Sequence, residues 1–192
     1  MQIMPIIIAG LFVSNYAVVQ FLGVCPLLGL SKKIDSALGM GIAVTFVMFL
    51  TSIVTYPIYN YIMVPLGIEY LEIIVFIFVI AALVQILEMV LKKMAPTLYT
   101  AMGVYLPLIT TNCAILGVAE LNLTAALVTN VATAALNGLF SGLGFTLAIV
   151  ILAGIREKVD SAPIHKSLKG FPISMIAACM MAMAFYVFKY VG

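Results

Sequence analysis

Two cysteines in similar surroundings are the residues of this 192-residue chain whose type and spacing point most directly to chemistry. Cys25 lies in the stretch Phe21-Leu-Gly-Val-Cys-Pro-Leu-Leu-Gly29, and Cys113 lies in Ile109-Thr-Thr-Asn-Cys-Ala-Ile-Leu-Gly117. Each cysteine precedes a glycine by four residues, and a leucine stands directly before that glycine. Two such thiols could form a disulfide, bind a soft metal, or supply half of the four-cysteine ligation that an iron-sulfur cluster usually needs.

The composition predicts that both cysteines belong to an integral membrane protein. Hydrophobic residues make up 65% of the chain and charged residues 8%, whereas about 25% of the residues in a soluble domain are charged. A membrane-spanning helix needs roughly 20 apolar residues, and the apolar runs predict six spans in a single all-α membrane domain over residues 1–192. Their approximate limits are 3–24, 37–59, 70–91, 97–119, 131–154 and 171–190. The stretch 122–129, ahead of the fifth span, is expected to be an outer loop or a surface helix.

The basic residues predict how these spans are oriented. Eight of the nine Lys and Arg residues follow spans one, three or five, and Lys189 is the exception. By the positive-inside rule, the basic loops are cytoplasmic and both termini face outward. The net charge of +2 adds no information beyond this topology, and the chain is expected to contact lipid and not nucleic acid.

Spans one and four are predicted to be interrupted at the cysteine motifs. Pro26 cannot donate a backbone hydrogen bond, and Gly23 and Gly29 weaken a helix on either side of Cys25. Cys179, in the last span, has no such neighbours and is expected to be an ordinary packing residue.

Thr111 and Asn112 stand directly before Cys113 in span four. Polar side chains are costly in hydrocarbon unless they serve a cavity, a partner or a ligand. The two residues are therefore candidates to support a group held by Cys113, and a kink made by back-bonded Thr and Asn side chains is the structural alternative.

Glu88 is a carboxylate inside the apolar run of span three, where it costs several kcal/mol unless it is paired or hydrated. Lys92 follows four residues later, in the favoured order for an ion pair along a helix. Glu88 therefore either pairs with Lys92 near the cytoplasmic interface or lines a path for a cation or a proton.

The chain divides near residue 95 into halves with three spans each, residues 1–94 and 95–192. Because three is odd, the halves cross the membrane in opposite directions and form a candidate inverted repeat. Cys25 corresponds to Cys113 in this repeat, and the pair Gly39/Gly41 corresponds to Gly142/Gly144. Interrupted segments at matching places in inverted halves point to a functional site near the membrane midplane.

The distance from each cysteine to the next charged residue limits where the thiols lie. Seven residues separate Cys25 from Lys32 and Cys113 from Glu120. If these stretches were helical, Cys25 would lie ~10 Å from one membrane surface and Cys113 ~10 Å from the opposite surface, so the two thiols would be too far apart to share a ligand. Extended stretches can span up to ~23 Å and would let both thiols reach mid-membrane. Pro26 and the nearby glycines favour the extended case, and a homodimer or a related subunit must then supply two more cysteines to complete a four-cysteine site.

Four stretches carry a family resemblance that covers nearly the whole chain. They are Phe21-Leu-Gly-Val-Cys-Pro-Leu-Leu-Gly-Leu-Ser-Lys-Lys33, Ala37-Leu-Gly-Met-Gly41, Leu106-Pro-Leu-Ile-Thr-Thr-Asn-Cys-Ala-Ile-Leu-Gly-Val118 and Ile155-Arg-Glu157. They resemble the RnfA family of Rnf complexes. A close relative of that family is NqrE of the sodium-translocating NADH:quinone oxidoreductase.

The resemblance implies a component of a complex in the prokaryotic cell (inner) membrane that moves electrons between reduced ferredoxin and NAD+, coupled to translocation of Na+ or H+. It implies a homologous six-span partner of opposite orientation, RnfE of the Rnf complex, together with RnfB, RnfC, RnfD and RnfG. Carried over to this sequence, Cys25 and Cys113 would ligate a 2Fe-2S cluster that the partner completes with two cysteines. Glu88 also falls in a family-like stretch, Val84-Gln-Ile-Leu-Glu-Met-Val90.

Two other interpretations of the cysteine motifs remain open. One is a small secondary transporter without a cofactor, whose interrupted helices bind a solute or an ion directly. The chain has few buried charged groups with which to do so. The other is an assembly subunit whose thiols form a disulfide or stay empty.

Overall fold

The computed structural model describes residues 21–30, 34–67, 69–94, 106–124, 130–161 and 170–191. Within those ranges every regular element is helical, so the prediction of an all-α chain is confirmed there. The predicted first span, 3–24, lies outside the described residues except for its last four. The α-helices are α1 (Val24–Leu30), α2 (Ile34–Ile58), α3 (Glu72–Met94), α4 (Leu106–Thr110), α5 (Cys113–Thr124), α6 (Val131–Asp160) and α7 (Phe171–Val191).

Helix α2 continues into turns of other helical types, and helix α3 is preceded by one such turn. Helix α2 runs on through a π-helical turn, Tyr59–Met63, and a further turn of α-helix, Val64–Leu66, which ends at Gly67 with a φ of +67°. A 3₁₀ turn over Glu69–Leu71 leads into α3. The connection between α2 and α3 is therefore short, as the sequence between spans two and three predicts.

Three described helices are long and apolar enough to cross a membrane. They are Ile34–Leu66, Glu72–Met89 and Val131–Val159, and they coincide with predicted spans two, three and five. Shorter apolar helices cover Leu108–Thr124 and Phe171–Val187, where spans four and six were expected. The described part of the chain is thus a set of apolar helices with the composition of a multi-pass membrane protein.

The pairing of α2 with α6 forms the centre of the fold. Small residues let two helix backbones approach closely: a Cβ atom built on Gly41 would lie 2.6 Å from Thr146 Cγ2, and one built on Gly142 would lie 2.7 Å from Thr45 Cα. Residue 41 thus faces 146 while residue 45 faces 142, so the two helices run antiparallel. The threonine hydroxyls meet at 3.0 Å.

The crossing is reciprocal, because each helix presents the same four-residue pattern to the other. The Thr45 hydroxyl donates to Gly41 O at 2.8 Å, and the Thr146 hydroxyl donates to Gly142 O at 3.0 Å. The contacts give Gly41 and Gly142 equivalent places in the crossing; the expected correspondence of Gly39/Gly41 with Gly142/Gly144 in an inverted repeat stays a prediction. The sequence offered two glycines on each helix, and the threonine that follows each contact glycine by four residues decides the register.

A buried chain of polar side chains ties α5 to both long helices. Asn137 of α6 donates its amide to Asn122 Oδ1 at 2.7 Å, and Asn122 donates to the Ser52 hydroxyl of α2 at 3.0 Å. Asn122 is 1% exposed. The expectation of an outer loop or surface helix is therefore wrong for Asn122, which is buried in the last turn of α5, whereas Thr124 at the end of that helix is exposed. Residues 125–129 lie outside the described ranges.

The two glycines of α2 provide a matched test of the crossing. Gly41→Ala should lower the free energy of unfolding by about 1–3 kcal/mol, because the new methyl group overpacks against the β-branched Thr146. Among the described residues, no atom lies within 4 Å of the position that a new methyl group on Gly39 would take, so Gly39→Ala should be neutral or stabilise by up to about 1 kcal/mol through helix propensity. Thermal unfolding of the detergent-solubilised chain measures both, and equal effects would contradict this packing.

Candidate thiol site

The first cysteine motif begins with a sharp turn that precedes the helix. Phe21 has a φ of +55° and Gly23 has a φ of +79°, both in the left-handed region, which a non-glycine residue adopts at a cost. Helix α1 then starts at Val24, so Cys25 is its second residue. Pro26 lies in the first turn, where its missing N–H would have no intrahelical partner. The turn therefore lies within the first motif, ahead of Cys25, and Pro26 is compatible with the helix start.

The second motif contains a break of two residues. Helix α4 ends at Thr110 and helix α5 begins at Cys113, with Thr111 and Asn112 between them. Asn112 is buried, and its Oδ1 accepts a hydrogen bond from the backbone N–H of Ala114 at 3.0 Å. This is the geometry by which an Asn side chain caps the first turn of a helix. Asn112 therefore fixes the start of α5, while Thr111 is exposed.

A hydrogen bond joins the two motifs. The backbone N–H of Gly23 donates to the Cys113 sulfur, with 2.9 Å between N and Sγ. Gly23 packs tightly there, because a Cβ on it would lie 2.8 Å from Asn112 Oδ1 and 2.9 Å from Ala114 Cβ. With 2.9 Å to the sulfur and two residues of chain to follow, the Cα atom of Cys25 lies within about 12 Å of the Cys113 sulfur.

A second close approach supports the same junction. The side chain of Leu22 occupies the space that a Cβ on Gly117 would need, one turn into α5. Gly29, the matching glycine of the first motif, has no atom within 4 Å of such a position among the described residues. Of the two motif glycines, Gly117 therefore has a packing role within this chain.

The stretches that follow the cysteines are helical, so the expectation that they are extended is wrong. Helix α1 has 7 residues and is about 10 Å long, and α5 has 12 residues and is about 18 Å long. The error came from taking Glu120 as the membrane boundary. Helix α5 continues to Thr124, so a helical stretch is long enough to let Cys113 lie deep in the bundle.

Helix α6 shows where the junction lies along the bundle. Asn137 contacts the last turn of α5, Phe145 lies 3.1 Å from the Cβ position on Gly23, and Arg156 contacts Leu28 near the end of α1. The two cysteine helices therefore extend from the junction in opposite directions along α6. Asn137, which contacts α5, lies about 12 Å from Phe145 along α6, and Arg156, which contacts α1, lies about 16 Å from it on the other side. Phe145 is the fifteenth of the 30 residues of α6, so the junction packs against its middle.

The thiols of Cys25 and Cys113 are exposed and are not joined in a disulfide. Among the described residues, no group of three or more His, Cys, Asp or Glu side chains comes close enough to hold a metal ion. Both thiols are therefore accessible on the described part of the chain.

Cys179 differs from its predicted role. It is exposed on α7, not packed in the core. It lines an apolar groove of about 230 Å³ together with residues of the first motif, including Phe21 and Val24. This third thiol therefore serves as a comparison for the other two, since it is also exposed and lies near the same motif.

Glu88 is half-buried on α3, and Lys92 is exposed one turn later on the same helix. The two interpretations of Glu88 stay predictions: an ion pair with Lys92 near the end of the helix, or a carboxylate on an ion path.

Sequence reasoning missed Phe145 and Arg156, the two α6 residues that contact the first motif. An aromatic residue in an apolar helix carries no signal of its contacts. Arg156 does carry one, because Ile155-Arg-Glu157 belongs to the family resemblance, but its charge alone indicates a basic loop.

Comparison with known proteins gives a consistent result. The family model described as "Rnf-Nqr subunit, membrane protein" matches residues 3–191. The chain is 51% identical to the A subunit of the Na(+)-translocating ferredoxin:NAD(+) oxidoreductase complex of Acetobacterium woodii, over 98% of this chain and 97% of the relative.

Two further relatives are each named as the A subunit of an ion-translocating oxidoreductase complex. The protein of Ectopseudomonas mendocina is 46% identical over 97% of this chain and 96% of its own length. The protein of Aliivibrio salmonicida is 46% identical over 95% of this chain and 94% of its own length. With the apolar helices and the match over nearly the whole sequence, this multi-pass membrane chain belongs to the Rnf-Nqr family of membrane subunits.

Proposed function

We propose that this chain is the RnfA component of an ion-translocating ferredoxin:NAD+ oxidoreductase (Rnf) complex, and that Cys25 and Cys113 are its two ligands to a shared 2Fe-2S cluster. The first part is supported by the names of relatives that match it over nearly their full length. The second part depends on one observation, the 2.9 Å hydrogen bond from Gly23 to the Cys113 sulfur that joins the two motifs.

The residues around the thiols suit an anionic ligand pair. Hydrogen bonds to sulfur are among the features that set the potential of iron-sulfur sites, and the Gly23 N–H supplies one. Cys113 is the first residue of the 12-residue helix α5, so the positive end of the helix dipole would lie beside an anionic group held there. The cluster would supply one-electron transfer at this point, and the chain would supply ligation, burial and orientation.

A partner protein is needed because an iron-sulfur cluster of this type usually takes four cysteines. Cys25 and Cys113 are two, and both are exposed on the isolated chain. The proposed partner is the homologous six-span RnfE, within an assembly that also holds RnfB, RnfC, RnfD and RnfG. Cys179 lies on α7, outside the junction of Gly23 with Cys113, and is not proposed as a ligand.

The proposed architecture is two inverted repeats of three spans, with the basic loops on the cytoplasmic side. The reciprocal Gly41/Thr146 and Thr45/Gly142 contacts between antiparallel helices support a pseudo-twofold relation, since such an axis makes each contact occur twice. The position of the cysteine junction at the middle of α6 supports a site near the membrane midplane. Na+ is the proposed coupling ion because the Acetobacterium relative is named for it, with Glu88 as a candidate on its path.

Iron and acid-labile sulfide analysis tests this function against the cofactor-free interpretations. The chain purified with its six-span partner should contain both elements in equal amounts, and the chain purified alone should contain neither. A transporter or a disulfide-bearing assembly subunit would lack both elements in either preparation. Iron bound by the chain alone would show that the six-span partner is not needed to complete the site.

A further inference from the structure

Arg156 is a buried charge near the C-terminal end of a long helix. It lies on α6, one turn before that helix ends at Asp160, and it is 7% exposed. A buried charge is costly unless it is paired or hydrogen-bonded. Arg156 donates from Nη1 to the backbone oxygen of Leu28 at 2.7 Å, across 128 positions of sequence.

The carbonyl that Arg156 binds lies in the last described turn of α1, which covers Val24–Leu30. Carbonyls in the last turn of a helix commonly take partners from outside that helix. A charged donor at 2.7 Å forms a stronger hydrogen bond there than a neutral one would.

Helix α1 also needs outside support because it is short. Isolated helices below about 12–15 residues are marginal even in good sequences, and α1 has 7. Its first end is held by the turn whose Gly23 N–H donates to Cys113. Its far end is held by Arg156, and Cys25 lies between these two attachments, three residues before Leu28.

We propose that Arg156 is a positioning residue for Cys25: its guanidinium holds the C-terminal end of α1 against α6, so that the Cys25 thiol is kept beside Cys113. The importance of that position for a cluster rests on the proposed function. The positioning itself concerns only this chain and is tested without iron.

Lys158 distinguishes positioning from the general effect of a basic residue on topology. It lies two residues further along the last turns of α6 and is exposed. Lys158→Gln removes the same charge as Arg156→Gln from the same end of the helix. Arg156→Lys keeps a cation and a donor but loses the planar fork of the guanidinium.

The test is the yield of crosslinking between Cys25 and Cys113 in membranes that hold the full-length chain without its partner, in a Cys179→Ala background. A bismaleimide with a spacer of about 10 Å is suitable, because Cys25 follows Gly23 by two residues and its thiol therefore cannot lie far from the Cys113 sulfur. Linked peptides are quantified by mass spectrometry, with single labelling of Cys113 as the internal reference.

Arg156→Gln should reduce the crosslinked fraction about fivefold, since local opening of α1 spreads the positions of Cys25. Arg156→Lys should restore at least half of the yield, and Lys158→Gln should leave it unchanged. An unchanged yield in Arg156→Gln, or an equal loss in Lys158→Gln, would overturn the proposal. So would an Arg156→Gln chain missing from the membranes, or a parallel fall in single labelling of Cys113, because either shows general unfolding. If the proposed function is wrong, iron analysis of the two-protein assembly finds no iron, whereas the crosslinking yields are unaffected.

Discussion

Replacing Cys25 or Cys113 by alanine is expected to abolish the iron-sulfur EPR signal of the assembly formed with the homologous partner. Changes to groups that merely orient metal ligands cost roughly 10–100-fold in metal affinity, and loss of a ligand should cost more. Either variant leaves the partner's cysteines facing one thiol in place of two. Iron content, acid-labile sulfide and the EPR signal should fall together.

Cys179→Ala is the matched control for these variants. Cys179 is also exposed, and it lines a groove with residues of the first motif. Its replacement should leave iron, sulfide and the EPR signal at the level of the unmodified chain. A full signal in Cys25→Ala or Cys113→Ala, or a lost signal in Cys179→Ala, would rule out the assignment of the ligands.

Gly23→Ala is expected to have the second largest effect, although it changes no thiol. A residue with a Cβ at a φ of +79° costs about 1–2 kcal/mol. The methyl group would also lie 2.8 Å from Asn112 Oδ1 and 2.9 Å from Ala114 Cβ, and overpacking of this kind costs about 1–3 kcal/mol. Together these should lower the free energy of unfolding by about 2–5 kcal/mol and displace the amide that donates to Cys113.

Gly29→Ala is the control, because it adds the same methyl group to the same motif. Gly29 lies within α1 and has no described atom within 4 Å of the new methyl position. It should leave thermal stability and iron content unchanged or slightly raise stability. If Gly23→Ala retained normal iron content and stability, or Gly29→Ala did equal damage, the close contact of the two motifs would be contradicted.

The helices and the pairing of the motifs could be predicted from the sequence because both depend on local signals. Apolar length locates α2, α3 and α6, and the polar residues before Cys113 mark the break in span four. Matched cysteine spacing indicates that Cys25 and Cys113 belong together. These signals need no knowledge of which side chains touch.

The errors concern features that only tertiary contacts decide. The sequence does not tell which residue of the first motif makes the turn: the turn depends on the left-handed conformation of Phe21 and Gly23, and Pro26 fits the first turn of the helix that follows. Asn122 resembles a loop residue until Ser52 and Asn137 supply its hydrogen bonds. Arg156 follows the rule for cytoplasmic charges and is nevertheless buried against Leu28.

The most direct test of the central claim is an experimental density map of this chain together with its homologous partner, at a resolution that separates iron from sulfur. We expect metal density to connect the sulfurs of Cys25 and Cys113 to two cysteine sulfurs of the partner, opposite the middle of α6. Thiols of Cys25 and Cys113 without metal between them, or a cluster bound elsewhere in the pair, would contradict the shared cluster.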